Sequence, residues 1–126
     1  MGLGVDIIRV ERLRGAATAR PRILERVFSG AELAEAGEGP ERWRRLAARF
    51  AAKEAVVKAC GGLHGSRWRD ISVHRVPGSA PRVALAGALA AWVAQRGGQL
   101  QVSLSHERDY AVAVAILTTE GDRCRP

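Results

Sequence analysis

Apolar and polar positions alternate in the first residues of the chain and in its last third, whereas the long segment between them has apolar residues at helical spacing. Residues two apart share one face of a strand, and residues three or four apart share one face of a helix. The pattern predicts, in chain order, a strand over residues 3–8, helices over 9–18 and 21–27, a brief helix after residue 29, a main helix over 42–60, strands over 69–76 and 82–85, a helix over 86–96, and strands over 100–105 and 110–117. We therefore predict an α+β fold with a mostly antiparallel sheet packed with one long and several short helices.

Local signals mark the ends of two helices and the extent of the domain. Ser29 and Glu32 have the spacing of a capping box, and Gly61-Gly62 ends the main helix. We find no repeat or linker, so we predict a single domain over residues 1–118 and a tail over residues 119–126. No apolar run approaches the roughly 20 residues of a membrane-spanning helix, and the N-terminus lacks the basic region of a signal peptide. We therefore expect a cytoplasmic protein with no membrane partner.

The net charge of +7 is concentrated in two of the predicted helical segments. Residues 9–26 carry six Arg and two Glu, and residues 41–58 carry four Arg, two Lys and two Glu. Such a field attracts acidic partners, and nucleic acid, an acidic protein and a polyphosphate ligand all qualify. A solvated Arg-rich surface remains the alternative. Only two cysteines are present, which is too few for a disulfide framework or a zinc site.

The main helix carries the most informative candidate chemistry. Phe50, Glu54 and Lys58 are four residues apart and therefore share a helix face, which then meets a loop beginning at Gly61. Glycine-rich loops of this kind let backbone N–H groups approach a phosphate closely. The alternative is an ordinary Glu–Lys pair, worth about 0.2–0.5 kcal/mol of helix stability.

Asp6 lies between Val5 and Ile7 in an apolar strand, where a charge is costly unless it is compensated. Two carboxylates about 4 Å apart would repel by roughly 4 kcal/mol at an effective dielectric constant of 20, and a divalent cation would relieve that repulsion. If Asp6 and Glu54 meet, they suit a Mg²⁺ ion that also takes water and phosphate oxygens. An edge-strand Asp on the surface, or a helix cap, remains the alternative for Asp6.

His106 closes the segment Ser103-Leu104-Ser105-His106, which ends a predicted strand at a turn over residues 106–109. A histidine there suits contact with a phosphate or transfer of a proton. A structural or exposed turn histidine is the alternative.

Taken together, these segments resemble the holo-acyl-carrier-protein synthases, the small trimeric phosphopantetheinyl transferases. The resemblance covers residues 2–117. The matching segments are Gly4-Val5-Asp6-Ile7-Ile8 with Arg12, Phe28-Ser29 with Glu32, Arg49-Phe50-Ala51-Ala52-Lys53-Glu54-Ala55 with Lys58-Ala59, and Ser103-Leu104-Ser105-His106 with Tyr110-Ala111-Val112-Ala113. The chain departs from the family at Gly61-Gly62-Leu63, where Gly-Thr-Gly is common, so the coenzyme A contacts of this loop stay open.

The resemblance implies the phosphopantetheinyl transferase fold, an enzyme activity and a set of site residues. The expected reaction moves 4′-phosphopantetheine from coenzyme A to a serine of an apo-acyl carrier protein and releases 3′,5′-ADP. Asp6 and Glu54 are the implied ligands of Mg²⁺ on the coenzyme A pyrophosphate, and Glu54, through a metal-bound water, is the implied acceptor of the serine proton. The implied coenzyme A contacts are Arg49, Lys53, Lys58, His106, Gly61 and Gly62.

The resemblance also implies partners. The carrier protein is acidic and belongs to fatty acid or polyketide biosynthesis, and its expected docking residues are Arg12, Arg20, Arg22 and Ile23. Compact members of the family are homotrimers with active sites between subunits, so we expect a homotrimer. A non-catalytic nucleic-acid-binding module is the main rival, but it leaves Asp6, Glu54 and His106 unexplained. A catalytically inactive relative that serves as an interaction subunit is the third possibility.

Overall fold

The computed structural model describes residues 1–123 and contains helices and two antiparallel sheets, so the predicted α+β class is confirmed. The elements are β1 (Gly2–Arg9), α1 (Val10–Ala19), α2 (Ile23–Val27), α3 (Gly30–Ala36), α4 (Glu41–Cys60), a 3-10 helix (Trp68–Asp70), β2 (Ile71–His74), β3 (Arg82–Leu85), α5 (Gly87–Gln95), β4 (Gln99–Glu107), β5 (Tyr110–Thr118) and α6 (Glu120–Arg123).

The strands form a three-stranded sheet in the order β1-β5-β4 and a separate two-stranded sheet of β2 and β3. The hairpin between β4 and β5 is tighter than predicted. His106 pairs with Ala111 and Glu107 with Tyr110, so the predicted turn over residues 106–109 shrinks to Arg108 and Asp109. Arg108 has a φ of 50°, a left-handed conformation that closes the chain over two residues.

Helix α4 packs on the inner face of the larger sheet, and small side chains make this possible. Ala51 and Ala55 of the helix are fully buried, as are Ala111 and Ala115 on the inner face of β5. Because an alanine adds only a methyl group beyond the backbone, the helix axis lies close to the sheet.

The predicted capping box at the start of α3 is confirmed, since Ser29 Oγ accepts from the Glu32 N–H and Glu32 Oε1 accepts from the Ser29 N–H.

The contact between β1 and α4 is closer still. A Cβ atom added at Gly2 would lie 1.9 Å from the carbonyl oxygen of Ala59, and one added at Gly4 would lie 1.9 Å from that of Ala55. Both distances are far below van der Waals contact, so the strand and the helix approach each other closely only because these two positions lack a side chain.

The outer face of the same sheet is apolar and exposed. Leu3, Val5 and Ile7 are 68%, 55% and 64% exposed, and they pair directly with Ile116, Val114 and Val112 of β5. A face of aliphatic side chains on two neighbouring strands is unusual for a surface that meets only water.

The sequence predicts a tail after residue 118, but the first part of that segment is ordered against the fold. Residues Glu120–Arg123 form the short helix α6, and the Asp122 carboxylate accepts hydrogen bonds from the Thr119 N–H and hydroxyl at 2.9 Å. The rest of the predicted tail, residues 124–126, lies outside the described residues. In the described part of the chain, no helix combines the length and the hydropathy needed to cross a membrane.

We expect Gly4→Ala to lower the free energy of unfolding by about 3 kcal/mol, because the new methyl group would overlap the Ala55 carbonyl in the packed interior. Thermal denaturation followed by circular dichroism measures the change. The matched control is Gly15→Ala in α1, where no atom lies within 4 Å of the new Cβ. That substitution removes a glycine from a helix and should stabilise by about 0.5–1 kcal/mol. Equal melting temperatures for the two variants would contradict the close contact.

Candidate active site

Asp6 and Glu54 come together because β1 and α4 run in opposite directions with matching spacing. Gly2 lies against Ala59 and Gly4 against Ala55. Two residues of a strand advance roughly 6.6 Å and four residues of a helix roughly 6 Å, so Asp6 continues this row next to the turn that carries Glu54. Both carboxylates line one cleft of about 310 Å³.

The cleft is bounded by β1, by the main helix and by the first two short helices. Arg12 and the apolar side chains of Leu13 and Ile23 line the cleft from the first two helices. Phe50, one helical turn before Glu54, lines it from the main helix. The complete set of lining residues is Asp6, Ile7, Ile8, Arg12, Leu13, Ala16, Ile23, Val27, Phe50 and Glu54. Two predicted docking residues, Arg12 and Ile23, therefore lie in the same cleft as the predicted metal ligands.

The carboxylates of Asp6 and Glu54 differ in their electrostatic surroundings. Burial raises the pKa of Glu54, and the neighbouring charge of Asp6 raises it further, although Lys58 and Arg12 act in the opposite direction. Lys58 Nζ donates to Asp6 Oδ1 at 3.2 Å and to the Val5 carbonyl oxygen at 2.9 Å. The surroundings of Glu54 therefore favour its protonated form, while Asp6 is paired with the Lys58 ammonium.

The donor set suits a hard divalent cation. Asp6 and Glu54 offer carboxylate oxygens in one cleft, and after burial the charge of Asp6 is the next cause of the raised pKa of Glu54. Within residues 1–123 no group of three or more His, Cys, Asp or Glu side chains is arranged to hold a metal. Two carboxylates with further oxygens from water and phosphate match the preference of Mg²⁺. A site for zinc would need more protein ligands.

Lys58 is the predicted phosphate ligand that reaches the cleft region. Its side chain is 51% exposed, so its ammonium contacts Asp6 and is also open to solvent. Gly61 and Gly62 follow α4 directly and have φ values of 75° and 145°, which side chains disfavour. No atom lies within 4 Å of a Cβ built at either glycine, so the loop surface is open. Their contact with coenzyme A stays a prediction.

Lys53 requires a correction. Its side chain is fully buried, and its ammonium forms a salt bridge with Glu32 at 2.7 Å and hydrogen bonds to the carbonyl oxygens of Trp68 and Ile71. Burial lowers the pKa of Lys53, although Glu32 opposes that shift. The expectation that Lys53 binds a coenzyme A phosphate is therefore wrong, since the ammonium is enclosed by the chain itself. Breaking such a buried pair typically costs about 3–5 kcal/mol.

Arg49 and His106 line a second pocket, of about 550 Å³, together with Arg45 and Arg75. The Arg49 guanidinium donates to Glu35 Oε1 at 3.3 Å and to the Val73 carbonyl oxygen at 3.2 Å, and only 6% of its side chain is exposed. Sequence reasoning missed Arg45 and Arg75. The spacing of four residues between Arg45 and Arg49 was a usable signal, whereas no pattern in the sequence joins Arg75 to them.

The remaining predicted docking residues lie beside the catalytic cleft. Arg20, Arg22 and Ile23 line a shallow groove of about 380 Å³ together with Pro21 and Arg26. Ile23 also lines the cleft of Asp6 and Glu54, so the groove adjoins that cleft. The four predicted docking residues therefore form one neighbourhood, in which Arg26 was not predicted.

Comparison with known proteins agrees with the fold and identifies the family of the chain. Residues 2–115 match the model of the 4′-phosphopantetheinyl transferase superfamily. A holo-[acyl-carrier-protein] synthase of Moorella thermoacetica is 45% identical over 116 residues, which cover 90% of this chain and 91% of the relative. The acyl carrier protein synthase of Mycobacterium tuberculosis has a solved structure that superposes with a TM-score of 0.74 at 37% identity, over 94% of this chain and 96% of that one.

A structure from Chronobacterium ammoniagenes, described as a complex of this kind of synthase with coenzyme A, superposes with a TM-score of 0.81 at 27% identity over 94% of this chain and 97% of that one. The chain belongs to the 4′-phosphopantetheinyl transferase superfamily. Within it, the chain is an enzyme of the holo-[acyl-carrier-protein] synthase type. The family, the fold and the enzyme class predicted from the sequence are thus confirmed.

We expect Glu54→Gln to raise the melting temperature near pH 7 when no divalent cation is present. A raised pKa means that the folded protein holds the Glu54 proton to a higher pH than the unfolded chain does. The free energy of unfolding therefore falls as the pH rises from the pKa of Glu54 in the unfolded chain through its higher pKa in the folded protein. The amide of the variant does not titrate and so avoids this loss. Thermal denaturation at several pH values measures the difference, which should shrink below about pH 4. A variant less stable than the wild type at neutral pH would contradict the raised pKa.

Proposed function

We propose that this protein transfers 4′-phosphopantetheine from coenzyme A to a serine of an acidic acyl carrier protein in a Mg²⁺-dependent reaction that releases 3′,5′-ADP. The observation that carries the proposal is the placement of Asp6 and Glu54 in one cleft beside Lys58. Relatives named holo-[acyl-carrier-protein] synthase and a related structure described as a coenzyme A complex support the choice of substrates.

Asp6 and Glu54 would hold Mg²⁺, which when bound neutralises charge on the pyrophosphate of coenzyme A. The serine hydroxyl oxygen attacks the β-phosphorus, the bond from that phosphorus to the bridging oxygen of the nucleotide breaks, and 3′,5′-ADP leaves. Glu54 is the proposed acceptor of the serine proton, as a carboxylate in the same cleft as Asp6. Lys58 contributes a positive charge to the phosphates from the same side of the cleft.

The pocket of Arg45, Arg49, Arg75 and His106 is the second candidate for phosphate binding. Arg45 and Arg75 supply guanidinium groups and His106 an imidazole, while the nearly buried Arg49 is paired with Glu35, the single acid of the pocket. At 100° per residue, the Arg45–Arg49 stripe lies about 140° around α4 from the Phe50–Glu54 stripe. One chain thus presents its carboxylate cleft and its arginine pocket in different directions.

A homotrimer would resolve this separation, because the arginine pocket of one subunit can complete the carboxylate cleft of the next. The outer face of the larger sheet offers the surface for such an assembly. Leu3, Val5, Ile7, Val112, Val114 and Ile116 form a continuous aliphatic face on β1 and β5. Burying this face between copies removes its apolar surface from water.

The first two helices are the proposed docking surface for the carrier protein. Arg12 lies in the cleft itself, so it can contact an acidic residue near the reacting serine. Arg20 and Arg22 extend the positive surface outward along the adjoining groove. Charge attraction of this kind speeds encounter and weakens as salt is added. Whether the partner is a fatty acid carrier, a polyketide carrier or both is answered by assaying a panel of carrier proteins.

We expect Glu54→Gln to lower the rate of transfer by roughly 10²- to 10⁴-fold, because the variant loses both a metal ligand and the proton acceptor. Mass spectrometry of an apo-carrier protein incubated with coenzyme A and Mg²⁺ follows the gain of the phosphopantetheine mass. Glu38→Gln is the matched control, since the Glu38 side chain is 93% exposed and lies outside the cleft. Transfer by the Glu54 variant at close to the wild-type rate would refute the assignment.

We expect Val114→Glu to dissociate the trimer and to abolish transfer, because it places a charge in the middle of the aliphatic face. Light scattering coupled to size-exclusion chromatography measures the mass, and the same transfer assay measures activity. Ala84→Glu on the exposed side of β3 is the control and should leave both unchanged. A wild-type protein that is monomeric and fully active would contradict the shared site.

A further inference from the structure

We propose that the carrier-protein docking surface continues past α2 onto the 3-10 helix, where Arg67 and Arg69 contact a second acidic segment of the carrier. The inference rests on the proposed function and extends it to residues for which neither the sequence motifs nor the catalytic cleft gives a role. It concerns one hollow, called here the Trp68 groove. The groove has a volume of about 550 Å³ and is lined by Glu25, Arg26, Leu63, Ser66, Arg67, Trp68 and Arg69.

The Trp68 groove is continuous with the docking surface already described. Arg26 lines both the Trp68 groove and the groove of Arg20 and Arg22. Ile23 in turn lines both that second groove and the catalytic cleft. Three adjoining hollows thus lead from the catalytic carboxylates, across α2, to the 3-10 helix. A protein that places a serine in the first hollow and covers α2 must also lie over or beside the third.

The charge along this path is uncompensated. Within residues 1–123, no carboxylate lies within 4.0 Å of the guanidinium groups of Arg20, Arg22, Arg26, Arg67 or Arg69. All five side chains are exposed. By contrast, Arg14, Arg42, Arg44 and Arg49 each form a salt bridge with a glutamate of the same chain. Glu25 is the single acid in the Trp68 groove, against three arginines.

The far wall of the groove is held in place by buried contacts. Trp68 packs against Phe50 with ring centroids 5.8 Å apart, and Phe50 also lines the catalytic cleft. The Trp68 carbonyl oxygen accepts from the buried Lys53 ammonium, and the Arg67 N–H donates to the Asp70 carboxylate at 2.9 Å. Arg67 and Arg69 therefore extend from a backbone that is already fixed, which lowers the entropy lost on binding.

The occupant that fits is an acidic protein surface. The arginines come from two elements and surround an indole and the side chain of Leu63, so an apolar side chain flanked by carboxylates matches the groove. A single phosphate would instead need several donors that converge on one point. The carrier protein, acidic and already required at the adjoining hollows, has the stated chemistry.

The test is charge reversal of the far wall, Arg67→Glu together with Arg69→Glu, in the full-length protein. We expect the KM for carrier protein to rise roughly tenfold, because each exposed pair turns from attraction to repulsion. The KM for coenzyme A and the kcat at saturating carrier protein should stay within about twofold. The salt dependence of kcat/KM for the carrier should become shallower.

Two further variants make the result specific. Arg82→Glu with Arg96→Glu changes the net charge equally at exposed positions outside the three hollows, and it should leave the KM for carrier protein nearly unchanged. Arg12→Glu alters the docking surface of the proposed function itself and should raise that KM. If folding of the charge-reversal variant is in doubt by thermal denaturation, Arg67→Gln with Arg69→Gln replaces it, with an expected rise of about threefold.

The outcomes separate the two levels of the proposal. A wild-type protein that does not modify any carrier would overturn the proposed function. Wild-type transfer with an unchanged KM in the Arg67 and Arg69 variant would overturn the extended docking surface alone. An equal rise in the Arg82 and Arg96 control would show that only overall charge matters, and a parallel rise in the KM for coenzyme A would assign the groove to the nucleotide. Both of these results also reject the inference.

Discussion

The contact of β1 with α4 at Gly2 and Gly4 is the constraint on which the site depends. A side chain at either position would overlap a helix carbonyl, so the strand and the helix approach closely only in the absence of one. Because the two elements advance at nearly the same rate, the row continues to Asp6 and places it beside the turn of Glu54. The absence of side chains at Gly2 and Gly4 therefore determines how closely Asp6 approaches the turn that carries Glu54.

The buried pair of Lys53 and Glu32 holds a second part of the fold around the same helix. Glu32 caps α3 and accepts from the Val73 N–H, while Lys53 donates to carbonyl oxygens next to the 3-10 helix. One ion pair thus joins α3, α4, β2 and the wall of the Trp68 groove. Lys53 and Glu54 are neighbours in the chain, yet a rotation of about 100° sends one into the interior and the other into the cleft.

The arginines discussed above fall into two groups, those that form a salt bridge with a glutamate of the same chain and those that do not. Arginines at the start of α4 and under the second pocket are neutralised by glutamates of the same chain, so they contribute to structure or orient a neighbour. Those along the two grooves beside the cleft, namely Arg20, Arg22, Arg26, Arg67 and Arg69, have no such partner in the described part of the chain. Their positive charge is therefore available to another molecule along the path that leads away from Asp6 and Glu54.

The sequence by itself determined the order of most helices and strands, the capping box at Ser29 and the family, because these follow from local spacing and from motifs within short segments. It predicted neither the 3-10 helix nor α6. It also supplied Asp6 and Glu54 as a pair. Only the tertiary structure decided that they share a cleft, that Lys53 is buried against Glu32, and that Arg75 lies beside His106. Each of these facts depends on contacts between residues distant in the chain, and a helix pattern of period 3.6 does not say which neighbour covers each face. Lys53 and Lys58 are similar in sequence context, and burial alone gives them different roles.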